Sequence, residues 1–209
     1  MSGFRTVVAD PPWAQTAGPR LPVRESGWDE RDDLRSRPLA YPTMTVEEIA
    51  ALPVREIAAD DAHLYLWVTS RFLPRAFEVV EAWGFAYSST QVWGKTLFGG
   101  GLGGTFRINT EFFVFATRGR VQARDVVRGT WFEWGCGGDE GTLFGWKRPY
   151  DWRGKPRHSA KPPEFFCDVV ERISHPPFVE LFARERRPGW DCWGNEVEST
   201  VMLGGAHAR

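Results

Sequence analysis

The sequence predicts an α/β domain built around a parallel sheet, and three observations carry that expectation. A short apolar, β-branched run, Val7-Val8-Ala9, stops abruptly at Asp10-Pro11-Pro12. Between His63 and Trp93 the apolar pattern passes from strand to helix and back to strand, the succession that builds parallel sheets. After Pro162 a helix with one apolar side leads into a last apolar strand. At 209 residues the chain is long enough for one domain, 1–209, with a proper core.

Taken in order, the first strand holds Phe4–Ala9, and two prolines without N–H groups end its ladder. The stretch from Trp13 to Pro38 has no sustained apolar period and reads as a long loop. Thr45 with Glu48 three residues later forms a capping box for a short helix through Leu52. His63–Val68 is a second strand. Apolar positions 72, 73, 76, 77, 80 and 83 then make a helical stripe, with Gly84 as its C-terminal cap. Ala86–Trp93 is a third strand and Glu111–Thr117 a fourth. The glycine run between Phe98 and Gly104 lacks the Lys-Ser/Thr of a phosphate loop and opens no evident helix, so it reads as a loop beside a site. Residues 121–161 form an irregular insertion in which Trp131, Trp134, Trp146 and Trp152 alternate with glycines and then with cations. The final helix buries Phe165, Phe166, Val169, Val170 and Ile173, and Phe178–Ala183 is the last strand.

The chemistry concentrates at Asp10-Pro11-Pro12-Trp13. Ligands bind outside the carboxyl ends of strands in open α/β sheets, and this motif stands at such an end. A carboxylate offers only acceptors, and the Pro11 carbonyl is a second acceptor held still by flanking rigid backbone. Two acceptors and an indole suit a planar aromatic amine: they take its two N–H protons and leave its lone pair to attack an electrophile. The competing reading is a strand end followed by a proline-stiffened turn.

Net charge is −1, which argues against indiscriminate nucleic-acid binding by the whole surface. The distribution is less even: residues 24–61 hold 5 Arg/Lys against 10 Asp/Glu, whereas residues 118–161 hold 10 against 5. A polyanion would choose the second region, with its tryptophans as stacking platforms; solvated surface and a covered sheet face are the alternatives. Three cysteines without metal-ligand spacing, and no apolar run long enough for a bilayer or a signal peptide, give the expectation of a reduced, cytoplasmic, metal-free protein with no membrane contact.

Together with Asp10–Trp13, the segments Tyr41-Pro42-Thr43-Met44, Leu66-Trp67-Val68-Thr69, Trp83-Gly84-Phe85, Trp93-Gly94-Lys95, Ser159-Ala160-Lys161-Pro162, Glu180–Arg184, Gly189-Trp190 and Gly194-Asn195 resemble, in order and spacing, one family. It is that of the adenine-N6 methyltransferases named for the catalytic subunit of the eukaryotic mRNA N6-adenosine methyltransferase, with bacterial and phage members. The resemblance implies a Rossmann-like, S-adenosylmethionine-dependent methyltransferase fold in permuted order, the catalytic strand first and the donor-binding strand last. It implies that Asp10, Pro11, Pro12 and Trp13 are catalytic, with Trp13 and Tyr41 bordering the target base. Trp67, Lys95, Glu111 and Lys161 join Tyr41 on the substrate side. Asp10, Lys161, Phe182, Arg184, Asn195 and Glu196 hold the donor, which leaves as S-adenosylhomocysteine. For Tyr41, Lys95, Glu111, Lys161 and Phe182 a packing or surface role stays open as the alternative.

The implied partner is nucleic acid, DNA ranking before RNA, with a free adenine nucleotide, a homodimer or a partner subunit also open. Two departures stand out: Glu196 replaces a glutamine of the mRNA enzyme, and the chain starts just before its first strand, without the upstream segment that contacts the donor's adenine there. A catalytically silent nucleic-acid-binding subunit is the reading of another class, and such subunits lose the Asp-Pro-Pro-Trp motif that this chain keeps. A dinucleotide-dependent oxidoreductase would need Gly-x-Gly-x-x-Gly where the proline turn stands.

Overall fold

A computed structural model describes residues 3–14, 42–94, 108–133, 161–162 and 164–204. Its strands are β1 (Phe4–Ala9), β2 (Ala58–Val68), β3 (Ala86–Gly94), β4 (Thr110–Arg118), β5 (Trp131–Phe132), β6 (Phe178–Leu181) and β7 (Trp190–Trp193). They form one sheet in the order β5-β3-β4-β2-β1-β6-β7. The helices are α1 (Val46–Ala50), α2 (Val54–Ile57), α3 (Leu73–Ala82), a wide π-type segment Phe165–Val170, and the turn α4 (Glu171–Ile173) that continues it.

Alternation along the strands sorts side chains onto two faces. Val7 and Ala9 of β1, Leu64, Leu66 and Val68 of β2, and Val179 and Leu181 of β6 join α1 and α3 in one core, which also takes in Trp13, Trp83 and Trp193. Val8, Tyr65, Trp67, Phe113 and Phe178 pack on the opposite face against Phe165, Phe166, Val169 and Val170. Helices therefore cover both faces of the sheet, as parallel strands with two buried sides require.

The sheet is mixed, which corrects the expectation of a parallel one. β1 pairs in parallel with β2 and β6, and β6 with β7. β4, however, lies between β2 and β3 and runs antiparallel to both. The α3 crossover joins two parallel strands as predicted, but it leaves a gap of one strand that β4 fills on its return. Because β4 is reversed, its beginning, not its end, lies at the carboxyl edge of β1 and β2. That brings Glu111 to the same edge as Asp10.

Local signals hold up well. The Thr45 hydroxyl accepts from the Glu48 N–H at 3.2 Å, and the Glu48 carboxylate accepts from the Thr45 N–H at 2.8 Å. Gly84 has φ +81° just past α3, where a Cβ would be strained. Phe77 departs from the predicted stripe: it is exposed and packs edge-on to Tyr87, while Val79 is buried instead. Strands β5 and β7 went unpredicted. No helix among the described residues is long and apolar enough to cross a membrane.

Candidate active site

The ends of β1, β2, β6 and β7 and the start of β4 meet at one edge of the sheet. Asp10 follows β1 directly, and its N–H donates to the Leu181 carbonyl at 3.4 Å. The carboxylate that ends the first strand therefore lies beside the end of β6, where Phe182 and Arg184 begin.

Lys161 organises the charge there. Its Nζ lies 2.8 Å from Glu111 Oε2 and 3.2 Å from Asp10 Oδ2, and 4.4 Å from the centre of the Trp67 ring. Its side chain is only 8% exposed, so solvent does little to weaken these contacts. Burial alone would disfavour the ammonium, but Asp10 and Glu111 outweigh it and hold the group firmly protonated. For Asp10 burial dominates and raises the carboxyl above its ordinary value; Lys161 pulls it back down, Glu111 pushes it up, and Arg184 lowers it. Two acids share one cation, and the shorter contact goes to Glu111. The Asp10 carboxylate thus keeps accepting capacity for a further donor.

The proline turn is tighter than its sequence suggests. The Trp13 N–H donates to the Pro11 carbonyl at 2.8 Å, closing a three-residue turn over Pro12. The Met44 N–H donates to the Pro12 carbonyl at 2.8 Å, and the Ala14 N–H to the Met44 carbonyl at 3.0 Å. The Pro11 oxygen is fixed in direction, with one of its two lone pairs already engaged. Trp13, expected to border a base, is packed into the core beneath the turn. It is 4% exposed, stacked on Phe72 with ring centroids 5.6 Å apart, and its indole N–H donates to the Trp67 carbonyl at 3.0 Å. An apolar ring with a single donor gains more by filling the core beneath the turn than by facing water. Trp67 is likewise enclosed, between Phe113, Trp93, Phe165 and Lys161. It carries the lysine and offers no open face to a substrate. Tyr41 and Lys95 lie outside the described residues, as does 134–160 of the insertion.

Past β6 the backbone turns sharply: Phe182 has φ +62°, and its half-buried ring meets Trp193 edge-on at 5.3 Å. The Ala183 N–H donates to the Trp193 carbonyl at 3.0 Å. Gly194 sits so close that a Cβ there would lie 2.1 Å from the Ala183 oxygen. Arg184 Nε is 3.8 Å from Glu196 Oε1, and Asn195 and Glu196 are exposed. This edge carries a guanidinium that can donate to a carboxylate, the carboxylates of Asp10 and Glu196 that can accept from an ammonium or hydroxyls, and a half-buried aromatic ring, groups suited to an amino acid joined to a nucleoside.

Two residues carry polar contacts to which the sequence alone assigned no role. Glu180 lies on β6 with its side chain 14% exposed, beside Arg187 at 3.2 Å; a charge inside the run Phe178–Ala183 was the available signal. Ser174 is buried between His63 and Tyr65, accepting or donating at 2.7 Å to each. Nothing local in the sequence links those three.

The chain is 26% identical over 201 residues to the type II methyltransferase M.MunI of Mycoplasma sp, covering 93% of this chain and 78% of that one. It is 24% identical over 214 residues to the human N(6)-adenosine-methyltransferase catalytic subunit METTL3, spanning 96% of this chain but 29% of that protein. It is 25% identical over 215 residues to the mouse N(6)-adenine-specific methyltransferase METTL4, of which it spans 37%. With the MT-A70 model matching residues 4–196, the chain belongs to the MT-A70 family.

Proposed function

We propose that this chain transfers a methyl group from S-adenosylmethionine to the exocyclic N6 amine of adenine in DNA. The observation that carries the proposal is the adjacency of Asp10 to the end of β6, made by the Asp10 N–H to Leu181 carbonyl bond, with Lys161 bridging Asp10 and Glu111. The donor, when bound, supplies an electrophilic methyl group on a sulfonium. Phe182, Arg184, Asn195 and Glu196 are the residues that would hold it, with Asp10 and Lys161 at the inner end.

Asp10 and the free lone pair of the Pro11 carbonyl accept the two amine N–H groups, which turns the nitrogen lone pair away from both acceptors. Asp10 needs no exceptional basicity, because the amine proton becomes acidic only as the new bond forms, and it can then leave to Asp10 or to water. Lys161 keeps the two carboxylates together at close range and compensates their charge. Holding the reacting atoms in register contributes up to about 7–11 kcal/mol. In a duplex the adenine must first leave the stack, at a cost of a few kcal/mol. The cation- and tryptophan-rich stretch 121–161 is the proposed contact to the polynucleotide, within a single domain acting in the cytoplasm.

DNA is preferred because the bacterial relative M.MunI is a type II methyltransferase of which this chain spans 78%. RNA is the second reading, favoured by the adenosine-specific name of METTL3. Labelled methyl transfer to duplex DNA, single-stranded DNA, RNA and adenine nucleotides in parallel, with nucleoside analysis, tests both. The main product expected is N6-methyldeoxyadenosine; label confined to RNA moves the assignment to the second reading, and no label in any substrate refutes it.

A further inference from the structure

We propose that Arg187 is a positioning residue for the donor: it fastens the turn between β6 and β7 from beneath, so that Phe182 and Arg184 are already in place when the donor arrives. This rests on the reading of that turn as the donor site. Residues 182–189 connect two adjacent parallel strands, and Glu185, Arg186, Pro188 and Gly189 are exposed. A polar turn of this composition has little apolar surface to hold it, so its order depends on specific ties.

Arg187 supplies ties to three separate elements. Its guanidinium carbon lies 3.5 Å from the centre of the Phe166 ring on the helix that covers the sheet. Its Nε donates to Glu180 Oε2 on β6 at 3.2 Å, and a terminal nitrogen donates to Glu185 Oε1 within the turn at 2.9 Å. Its carbonyl accepts the N–H of Trp190, the first residue of β7, at 3.1 Å. The side chain is 20% exposed. A planar fork stacked on an aromatic ring and bound to two acids is directed inward. Arg186, by contrast, is 54% exposed and among the described residues is tied to Glu198. Of the turn's arginines, Arg184 faces Glu196 and the charge of Asp10, whereas Arg187 acts through the backbone it anchors.

Glu180 makes the fastening sensitive to pH. It pairs with Val8 across the β1–β6 ladder, on the face that also carries Phe178. Burial pushes its carboxyl up to about 7 against the pull of Arg187, with Asp10 just past β1 and Glu185 of the turn adding to the rise. On β7 its ladder partner is Cys192, and Glu171 of α4 is engaged by the Trp190 indole. The Arg187–Glu180 ion pair is therefore complete only above neutrality. Below it Glu180 is neutral, and the turn loses a charge-assisted tie.

The test is calorimetric binding of S-adenosylhomocysteine to the full chain at pH 6, 7 and 8, together with donor KM and kcat. Wild-type affinity should rise several-fold from pH 6 to 8. Arg187→Met, which keeps the apolar stem over Phe166, should weaken binding about tenfold at pH 8 and flatten the pH profile. Donor KM should rise in that variant while kcat at saturating donor changes little. Glu180→Gln, which keeps an acceptor for Arg187, should show the pH 6 affinity of the wild type at all three values, and it serves as the readout if Arg187→Met does not fold. Wild-type affinity in Arg187→Met at every pH, or a fall in kcat with unchanged KM, overturns the proposal. Arg184→Ala separates the two levels. If it loses the donor while Arg187→Met binds normally, the fastening fails and the donor site stands; if the wild type itself binds no donor, both fall.

Discussion

Replacing Lys161 by Met keeps the length of the stem over Trp67 and removes the charge between Asp10 and Glu111. At 2.8 and 3.2 Å, with an effective dielectric near 20, each attraction amounts to about 5–6 kcal/mol before desolvation. Burial of the three groups cancels much of that gain. Removing one member of a buried charge cluster nevertheless costs about 3–5 kcal/mol, because the remaining charges lose their partner. The cost should depend on pH with a definite sign. Without the ammonium the two carboxyls repel and their folded-state pKa values rise further. A carboxyl raised in this way contributes stability below its unfolded pKa and loses it as pH rises through the folded value. The penalty of Lys161→Met, measured by urea unfolding, should therefore be full at pH 8 and shrink toward pH 5. Adding Glu111→Gln should recover part of the loss at pH 8. A penalty equal at both pH values to within about 0.5 kcal/mol would refute the charge-sharing account.

Three further perturbations probe the surrounding structure. Burial, with the charges of His175 and Arg5, lowers His63 to about 4; stability from this site is present above the unfolded value and lost as pH falls from about 6.5 to 4. Wild type should lose about 3 kcal/mol relative to His63→Gln across that window, and parallel pH profiles for the two proteins would contradict it. Glu180 carries the opposite sign: raised to about 7, it costs the wild type about 3 kcal/mol relative to Glu180→Gln as pH rises from about 4.5 to 7, again read by denaturant unfolding. Gly194→Ala places a methyl group 2.1 Å from the Ala183 oxygen and 2.8 Å from its nitrogen. It should cost about 1–3 kcal/mol and weaken donor binding, and a variant with unchanged melting temperature and donor affinity would show that the close approach is not needed.

How far the sequence could be read depended on the range of the interactions involved. β1, β2 and α3, with its Gly84 cap, follow from local periodicity and backbone chemistry, and the Thr45–Glu48 capping box formed as its spacing required. The direction of β4 did not follow. Its apolar run is the same read either way, and only its place between β2 and β3 sets it antiparallel. β7 is four residues long and contains Asp191, so no periodicity announces it; pairing with β6 makes it a strand. At the site, Asp10 and the rigidity of Pro11-Pro12 were legible because proline acts on the backbone locally. The orientation of Trp13 was not, since it is decided by Phe72 and the Trp67 carbonyl, more than fifty residues away in the chain. The Lys161–Glu111 contact spans fifty residues as well, and Arg187 gains its role only from Phe166 and Glu180.

The central claim is tested most directly by transfer of a labelled methyl group to adenine-containing DNA by wild type and Asp10→Ala, with donor binding measured on the same samples. The account predicts label at N6 with the wild type and none with Asp10→Ala even when the donor is raised to saturation, with donor binding weakened but still measurable in the variant. Turnover by Asp10→Ala close to that of the wild type would contradict it.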